Sequence, residues 1–61
     1  MTQSTVTLLL VEDNEVNRDM LVRRLQRAGY HVLTAGDGET ALNIMRQTSP
    51  QAVLMDMNLP I

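Results

Sequence analysis

An uninterrupted apolar run, TVTLLLV at residues 5–11, constrains the fold more than any other stretch of this 61-residue chain. A strand with apolar side chains on both faces must be covered on both faces, which is typical of the interior of a parallel sheet. The run ends abruptly at two adjacent carboxylates, Glu12 and Asp13. We therefore predict a central parallel strand with an acidic pair at its carboxyl end.

The segment after this acidic pair has the pattern of an amphipathic helix. From Glu15 onward, apolar side chains recur at helical spacing, while arginines and other polar residues occupy the opposite side. Asn14 has the chemistry of an N-cap, and Gly29 can adopt the left-handed conformation that ends a helix. We predict that one stripe of this helix faces the sheet, formed by Val16, Met20, Leu21, Leu25 and Ala28.

A second strand, a second helix and a third strand follow in that order. The second strand is predicted at 31–35, and the third, also buried, at 52–56. Between them we predict a helix from about Glu39 to Thr48, with Asp37 turning the chain and capping the helix. The inner stripe of this helix is predicted to consist of Ala41, Leu42 and Met45, with Ile44 beside them.

This β-α-β-α-β order predicts a parallel sheet with strand order 2-1-3 and helices on opposite faces, because right-handed crossovers connect its strands. Ligands bind such sheets beyond the carboxyl ends of the strands. Glu12 and Asp13 follow strand 1 and Asp56 ends strand 3, so three carboxylates are expected at one rim. Charges this close repel each other unless a cation lies between them. Oxygen ligands alone favour Mg²⁺, with the backbone carbonyl of Asn58 as a further ligand.

Composition excludes several other kinds of site and partner. There is no cysteine, so neither a disulfide nor a thiolate metal site can stabilise the fold. The net charge is −2, and the clustered arginines, with no aromatic residues among them, indicate a solvated helix face rather than a nucleic-acid surface. The segment MTQSTVTLLLVE has the pattern of neither a signal peptide nor a membrane span. We therefore expect a soluble, cytoplasmic chain without direct contact to nucleic acid or membrane.

Two stretches together resemble a known family. LLLVEDN at residues 8–14 and LMDMNLP at residues 54–60, with the segment between them, are similar to the first half of a receiver domain of bacterial two-component response regulators. The resemblance covers residues 6–60. It implies a flavodoxin-like, doubly wound α/β fold, of which residues 1–61 form a truncated domain.

The resemblance also implies roles for individual residues. Asp56 matches the phosphoacceptor, Glu12 and Asp13 match the acidic pair that binds Mg²⁺, and the carbonyl of Asn58 matches a further metal ligand. The implied donor is the phosphohistidine of a sensor histidine kinase or of a phosphotransfer protein. A carboxylate nucleophile and a metal suit phosphoryl transfer to an aspartate. We expect a phosphoacceptor domain of phosphorelay signalling rather than an enzyme.

The family has a hydroxyl residue and a lysine in its fourth and fifth strands that contact the phosphoryl group. This chain stops at Ile61 and contains no lysine, so we expect phosphotransfer, self-phosphorylation and dephosphorylation to be impaired. Two alternatives belong to other functional classes. A nucleotide-binding βαβ domain is disfavoured, because the turn after strand 1 has carboxylates and no glycine. A self-associating interaction module without phosphotransfer activity stays open.

The edge of strand 3, at residues 52–56, also predicts self-association. Its outer side would present unpaired N–H and C=O groups beside an apolar face, which is the kind of edge that recruits another chain. A two-fold axis perpendicular to the sheet would pair two copies of this strand antiparallel. The expected product is a homodimer whose sheet has the strand order 2-1-3-3-1-2.

Overall fold

A computed structural model describes residues 5–55 and shows a three-stranded parallel sheet with two helices. In chain order the elements are β1 (Thr7–Val11), α1 (Glu15–Arg27), β2 (His31–Ala35), α2 (Gly38–Thr48) and β3 (Ala52–Met55). The strand order is β2-β1-β3 and both pairings are parallel, so the predicted α/β fold with order 2-1-3 is confirmed. Neither helix of this part of the chain is long and apolar enough to cross a membrane.

The helix ends lie close to where the sequence predicted them. Asn14 caps α1, and its side chain accepts a hydrogen bond from the Asn17 amide at 2.9 Å. Asp37 caps α2 in the same way, accepting from the Thr40 amide at 2.7 Å. Gly29 follows α1 with a φ of +101°, a conformation that side-chain-bearing residues rarely adopt. Local capping interactions thus determine where the two helices begin and end in the sequence, although α2 begins one residue earlier than predicted.

β1 is the covered centre of the sheet. Its residues Leu8–Val11 are at most 6% exposed. Leu9 belongs to one core cluster with Ala41 of α2. Leu10 lines a pocket with Leu21 of α1. Because successive side chains of a strand point to opposite faces, the two helices cover opposite faces of the sheet, as predicted.

β3 is exposed, and the prediction of a buried third strand is wrong for Ala52–Met55. Val53, Leu54 and Met55 are 38%, 41% and 47% exposed. The reason is that α1 and α2 pack on β1 and β2, and within residues 5–55 no Cα atom of either helix lies within 8 Å of a Cα atom of β3. Asp56, the predicted last residue of this strand, lies outside the described residues.

Four apolar side chains that were predicted to face the sheet are exposed instead, namely Val16, Met20, Ala28 and Leu42. Val16 of α1 is 69% exposed and Leu42 of α2 is 52% exposed. The half-buried positions of α1 are Arg18, Leu21, Val22 and Leu25. The aliphatic stem of an arginine can cover apolar surface, so the inner stripe of α1 includes a residue that a hydrophobicity pattern assigns to solvent.

Candidate functional site

The site begins where β1 ends. The parallel register pairs Val11 with Ala35 on one side and with Met55 on the other. The carboxyl ends of the three strands therefore meet at one rim of the sheet. Glu12 and Asp13 follow β1 directly at this rim.

The two carboxylates at this rim have different surroundings. Glu12 is buried, with 4% of its surface exposed, and its Oε1 accepts a hydrogen bond from the Asn14 amide at 3.0 Å. Asp13 is exposed to solvent. A buried charge needs hydrogen-bonding partners, and the loop supplies one to Glu12. Asp13 is the member of the pair that a ligand from solution can reach directly.

Hydrogen bonds also hold the backbone of Glu12. Its amide donates to the carbonyl of Ala35 at 3.0 Å, which extends the ladder between β1 and β2 past the last residue of β1. Its carbonyl accepts a hydrogen bond from Nη1 of Arg18 at 2.9 Å. The Arg18 amide donates in turn to the carbonyl of Asn14, also at 2.9 Å. The connection between β1 and α1 is thereby fixed on both sides of the acidic pair.

The contact of Arg18 with the site was not predicted from the sequence, which indicated that its side chain is solvated with the other arginines of α1. One signal could have shown that Arg18 lies on the inner face of α1, although not which group it contacts. Positions 18, 21, 22 and 25 have helical spacing, and they form a continuous inner stripe once the arginine stem is counted as apolar. The prediction of a solvated Arg18 was wrong because it considered only the charged end of the side chain and not its aliphatic stem.

The donor atoms at this rim fit a hard divalent cation. Proteins commonly hold Mg²⁺ with one or two carboxylates and several waters, and Glu12 and Asp13 supply carboxylate oxygens. Within residues 5–55, no group of three histidine, cysteine, aspartate or glutamate side chains is placed to hold a metal ion. The other predicted ligands, Asp56 and the carbonyl of Asn58, lie outside the described residues. The described rim therefore contributes an acidic pair and not a complete metal site.

The neighbouring connection, between β2 and α2, uses its carboxylate differently. The backbone amide of Thr40, followed by its side chain, holds the pKa of the Asp37 carboxyl below its usual value. Hydrogen bonds to the ionised form of a carboxyl group always lower its pKa. Asp37 is therefore engaged as a helix cap, although it is fully exposed and lies at the same end of the sheet.

Two open pockets flank β3. One, of about 340 Å³, is lined by Leu10, Glu12, Leu21, Leu54 and Met55. The other, of about 510 Å³, is lined by residues 37–39 and by Ala41, Leu42, Met45 and Met55. Both contain mainly apolar side chains, so the surfaces beside β3 are suited to further packing.

Comparison with known proteins finds a matching family model and several similar sequences. Residues 8–61 match the family model described as "Response regulator receiver domain". The chain is 43% identical over 53 residues to the probable transcriptional regulator ycf27 of Guillardia theta. It is 44% identical over 62 residues to the alkaline phosphatase synthesis transcriptional regulatory protein SphR of Synechococcus elongatus. It is 40% identical over 53 residues to the sensor histidine kinase RcsC of Salmonella typhimurium.

These matches cover most of this chain and a small part of each relative. Each alignment covers 87% of the chain, but only 21% of ycf27, 24% of SphR and 6% of RcsC. Two of the relatives are named as transcriptional regulators and one as a sensor kinase. Segments similar to this chain therefore occur in proteins that carry different names.

Proposed function

The chain belongs to the response regulator receiver domain family, and on that premise we propose that it is a phosphoacceptor segment of a two-component signalling pathway. In this proposal Asp56 takes a phosphoryl group from the phosphohistidine of a sensor histidine kinase or of a phosphotransfer protein. The cation is Mg²⁺, and its proposed ligands are Glu12, Asp13, Asp56 and the carbonyl of Asn58. The occurrence of a similar segment, 40% identical, in a sensor histidine kinase supports a place in a phosphorelay. The proposed reaction takes place in the cytoplasm, without direct contact to nucleic acid.

One observation carries the proposal, the parallel register between β1 and β3. Val11 lies opposite Met55, and these two residues directly precede Glu12 and Asp56 in the sequence. Sheets of this kind bind ligands beyond the carboxyl ends of adjacent strands. The register thus supports a nucleophile and an acidic pair that share one cation.

The proposed reaction is a displacement at phosphorus. A carboxylate oxygen of Asp56 attacks the phosphorus atom, the new O–P bond forms as the P–N bond to the donor histidine breaks, and the ring nitrogen keeps the electron pair. A bound divalent cation would neutralise charge on the transferring oxygens. Glu12 and Asp13 would hold that cation, and the hydrogen bonds around Glu12 keep the backbone of the pair in position. The chain is the acceptor in this scheme rather than an enzyme.

The test is labelling with a small acyl phosphate in the presence of Mg²⁺, read by intact mass. In the natural polypeptide that carries this sequence, at its full length, we expect the wild type to gain one phosphoryl group and Asp56→Asn to gain none. Asp19→Asn is the matched control, because Asp19 is an exposed aspartate on α1. Chelation of the divalent cation should abolish labelling. Equal labelling of wild type and Asp56→Asn would overturn the proposal.

The same assay tests the proposed impairment of the 61-residue chain. This chain contains no lysine, and a cation next to the phosphoryl oxygens stabilises charge that develops there. We expect the 61-residue chain to be labelled much less than the full-length polypeptide. Efficient and long-lived labelling of the 61-residue chain would show that the lysine found in the fifth strand of the family is dispensable.

A second candidate function, self-association, is favoured by the exposure of β3. This strand is at the edge of the described sheet, and its apolar side chains are open to solvent beside two pockets. A second copy of β3 in antiparallel orientation offers matching donors and acceptors and further apolar side chains. We propose that the 61-residue chain forms a homodimer through residues 52–56, with the strand order 2-1-3-3-1-2.

Sedimentation of the 61-residue chain at micromolar concentration tests this proposal. Leu54→Lys adds a charge to the edge strand, a substitution that opposes edge-to-edge pairing. We expect it to shift the dimer towards monomer. Met20→Lys is the matched control, because Met20 is 49% exposed on α1, away from this edge, and Leu54 is 41% exposed. A folded wild-type monomer would overturn the proposed dimer. Equal shifts towards monomer in the two variants would also overturn it.

A further inference from the structure

Glu12 lies one residue beyond the end of β1. At this point β2 no longer supplies backbone N–H donors to the ladder between the two strands. Its amide still donates to the carbonyl of Ala35 at 3.0 Å. In a parallel ladder, the carbonyl of the same residue accepts from the amide two positions further along the partner strand, which here belongs to Asp37. β2 ends at Ala35, however, and the Glu12 carbonyl accepts from Nη1 of Arg18 at 2.9 Å instead.

We infer that Arg18 is a positioning residue for the acidic pair. Its guanidinium replaces the ladder donor that β2 does not supply, and it fixes the peptide unit between Glu12 and Asp13. The orientation of that peptide unit sets the direction in which the Asp13 side chain leaves the backbone. This inference rests on the proposed function and deepens it, because the side chain being positioned is a proposed cation ligand.

The surroundings of Arg18 support this role. The residue is half-buried, unlike the other three arginines of α1. A Cβ atom at Gly36 would lie 3.6 Å from Nη1 of Arg18, so the guanidinium lies against the connection between β2 and α2. A methyl group at position 36 would make an ordinary contact, whereas a long side chain would compete with the guanidinium for space. Arg18 therefore donates to the connection between β1 and α1 and lies beside the connection between β2 and α2.

Charge and positioning predict effects of opposite sign on cation binding. As a positive charge near the rim, Arg18 repels a cation, so its removal would strengthen the binding of Mg²⁺. As a positioning residue it holds a ligand in place, and partners that orient metal ligands are worth roughly 10–100-fold in affinity. Its removal would then weaken binding. The sign of the change therefore distinguishes the two roles.

The experiment is a calorimetric titration of the full-length natural polypeptide with Mg²⁺. We expect Arg18→Gln to bind about tenfold more weakly than the wild type. Arg18→Lys should recover most of the affinity, because lysine keeps both the charge and a donor. Arg23→Gln removes the same charge from an exposed position on the same helix, and we expect no weakening. Unchanged or tighter binding by Arg18→Gln would overturn the inference.

A second pair of variants displaces the guanidinium without altering Arg18. Gly36→Leu should weaken Mg²⁺ binding as Arg18→Gln does, because its side chain occupies the space beside Nη1. Gly36→Ala is the control, and we expect wild-type affinity. Wild-type affinity of Gly36→Leu would count against the positioning role.

Amide hydrogen exchange in the metal-free protein separates a local effect from a general loss of stability. In Arg18→Gln, the amides of Glu12 and Asn14 should exchange faster, and the amide of Leu9 in the middle of β1 should not change. Equal acceleration at Leu9, or no acceleration at Glu12 and Asn14, would overturn the inference. Failure of the wild type to bind Mg²⁺ would overturn the proposed function, and the metal role of Arg18 with it. Wild-type binding with unchanged exchange in Arg18→Gln would overturn the inference alone.

Discussion

The two strand-to-helix connections at the rim share one capping chemistry but use different groups for it. Between β1 and α1, the neutral side chain of Asn14 accepts from the Asn17 amide at 2.9 Å. Between β2 and α2, the carboxylate of Asp37 accepts from the Thr40 amide at 2.7 Å. The carboxylate of Asp37 is therefore already bound to an amide of the helix that it caps. The neutral cap of α1 leaves the carboxylate of Asp13 exposed at the rim.

This difference shows why an acidic residue before a helix is ambiguous when only the sequence is known. Aspartate is a good N-cap and also a good ligand for hard cations. In the first connection the cap follows the acidic pair, so Glu12 and Asp13 do not cap the helix. In the second connection the acidic residue is itself the cap. The position of the capping side chain thus decides which carboxylates are available to a ligand.

The largest expected difference between the two connections is in cation affinity. Asp13→Asn removes a charged oxygen ligand, and we expect the affinity for Mg²⁺ to fall by more than about tenfold, the lower limit for partners outside the ligand shell. Asp37→Asn is the matched control, because asparagine caps a helix about as well as aspartate. Calorimetric titration of the full-length polypeptide measures both. Equal affinities of wild type and Asp13→Asn would show that the first connection holds no cation.

The next largest effect is expected on stability, from the cap of α1. Asn14→Ala removes the acceptor for the Asn17 amide, and we expect the free energy of unfolding to fall by about 1 kcal/mol. Asn14→Asp keeps an acceptor and adds a negative charge at the helix N-terminus, so stability should be retained. Urea denaturation measures both changes. If Asn14→Ala were as stable as the wild type, the capping bond seen at 2.9 Å would contribute nothing.

The features that the sequence predicted correctly depend on a few neighbouring residues. The caps at Asn14 and Asp37 and the left-handed Gly29 follow from local backbone chemistry. The position of Glu12 and Asp13 at the end of β1 follows from the alternation of strands and helices, which brings the carboxyl ends of the strands to one rim. The roles of Asp56 and Asn58 stay predictions, because both lie outside the described residues.

The features that the sequence did not predict depend on which surfaces meet in three dimensions. β3 is as apolar as β1 but exposed, because within the described residues the two helices pack on β1 and β2 and not on β3. The contact of Arg18 with the Glu12 carbonyl depends on where β2 ends relative to β1. No pattern within α1 contains that relation. Propensity and periodicity therefore located the elements, while the burial of their faces required the structure.

The smallest expected effect is a pH dependence from the second connection. Because folding lowers the pKa of Asp37, this residue contributes stability above its unfolded-state pKa of about 3.9, and that contribution is lost as the pH falls through the lower pKa of the folded state. Asp37→Asn keeps a cap that does not titrate. Urea denaturation from about pH 5 downwards should therefore show a steeper loss of stability for the wild type than for Asp37→Asn. The difference should be small and should shrink at high salt, because the carboxylate is exposed. Parallel curves for the two proteins would mean that the Thr40 amide does not favour the charged form of Asp37, and that the two caps are electrostatically alike.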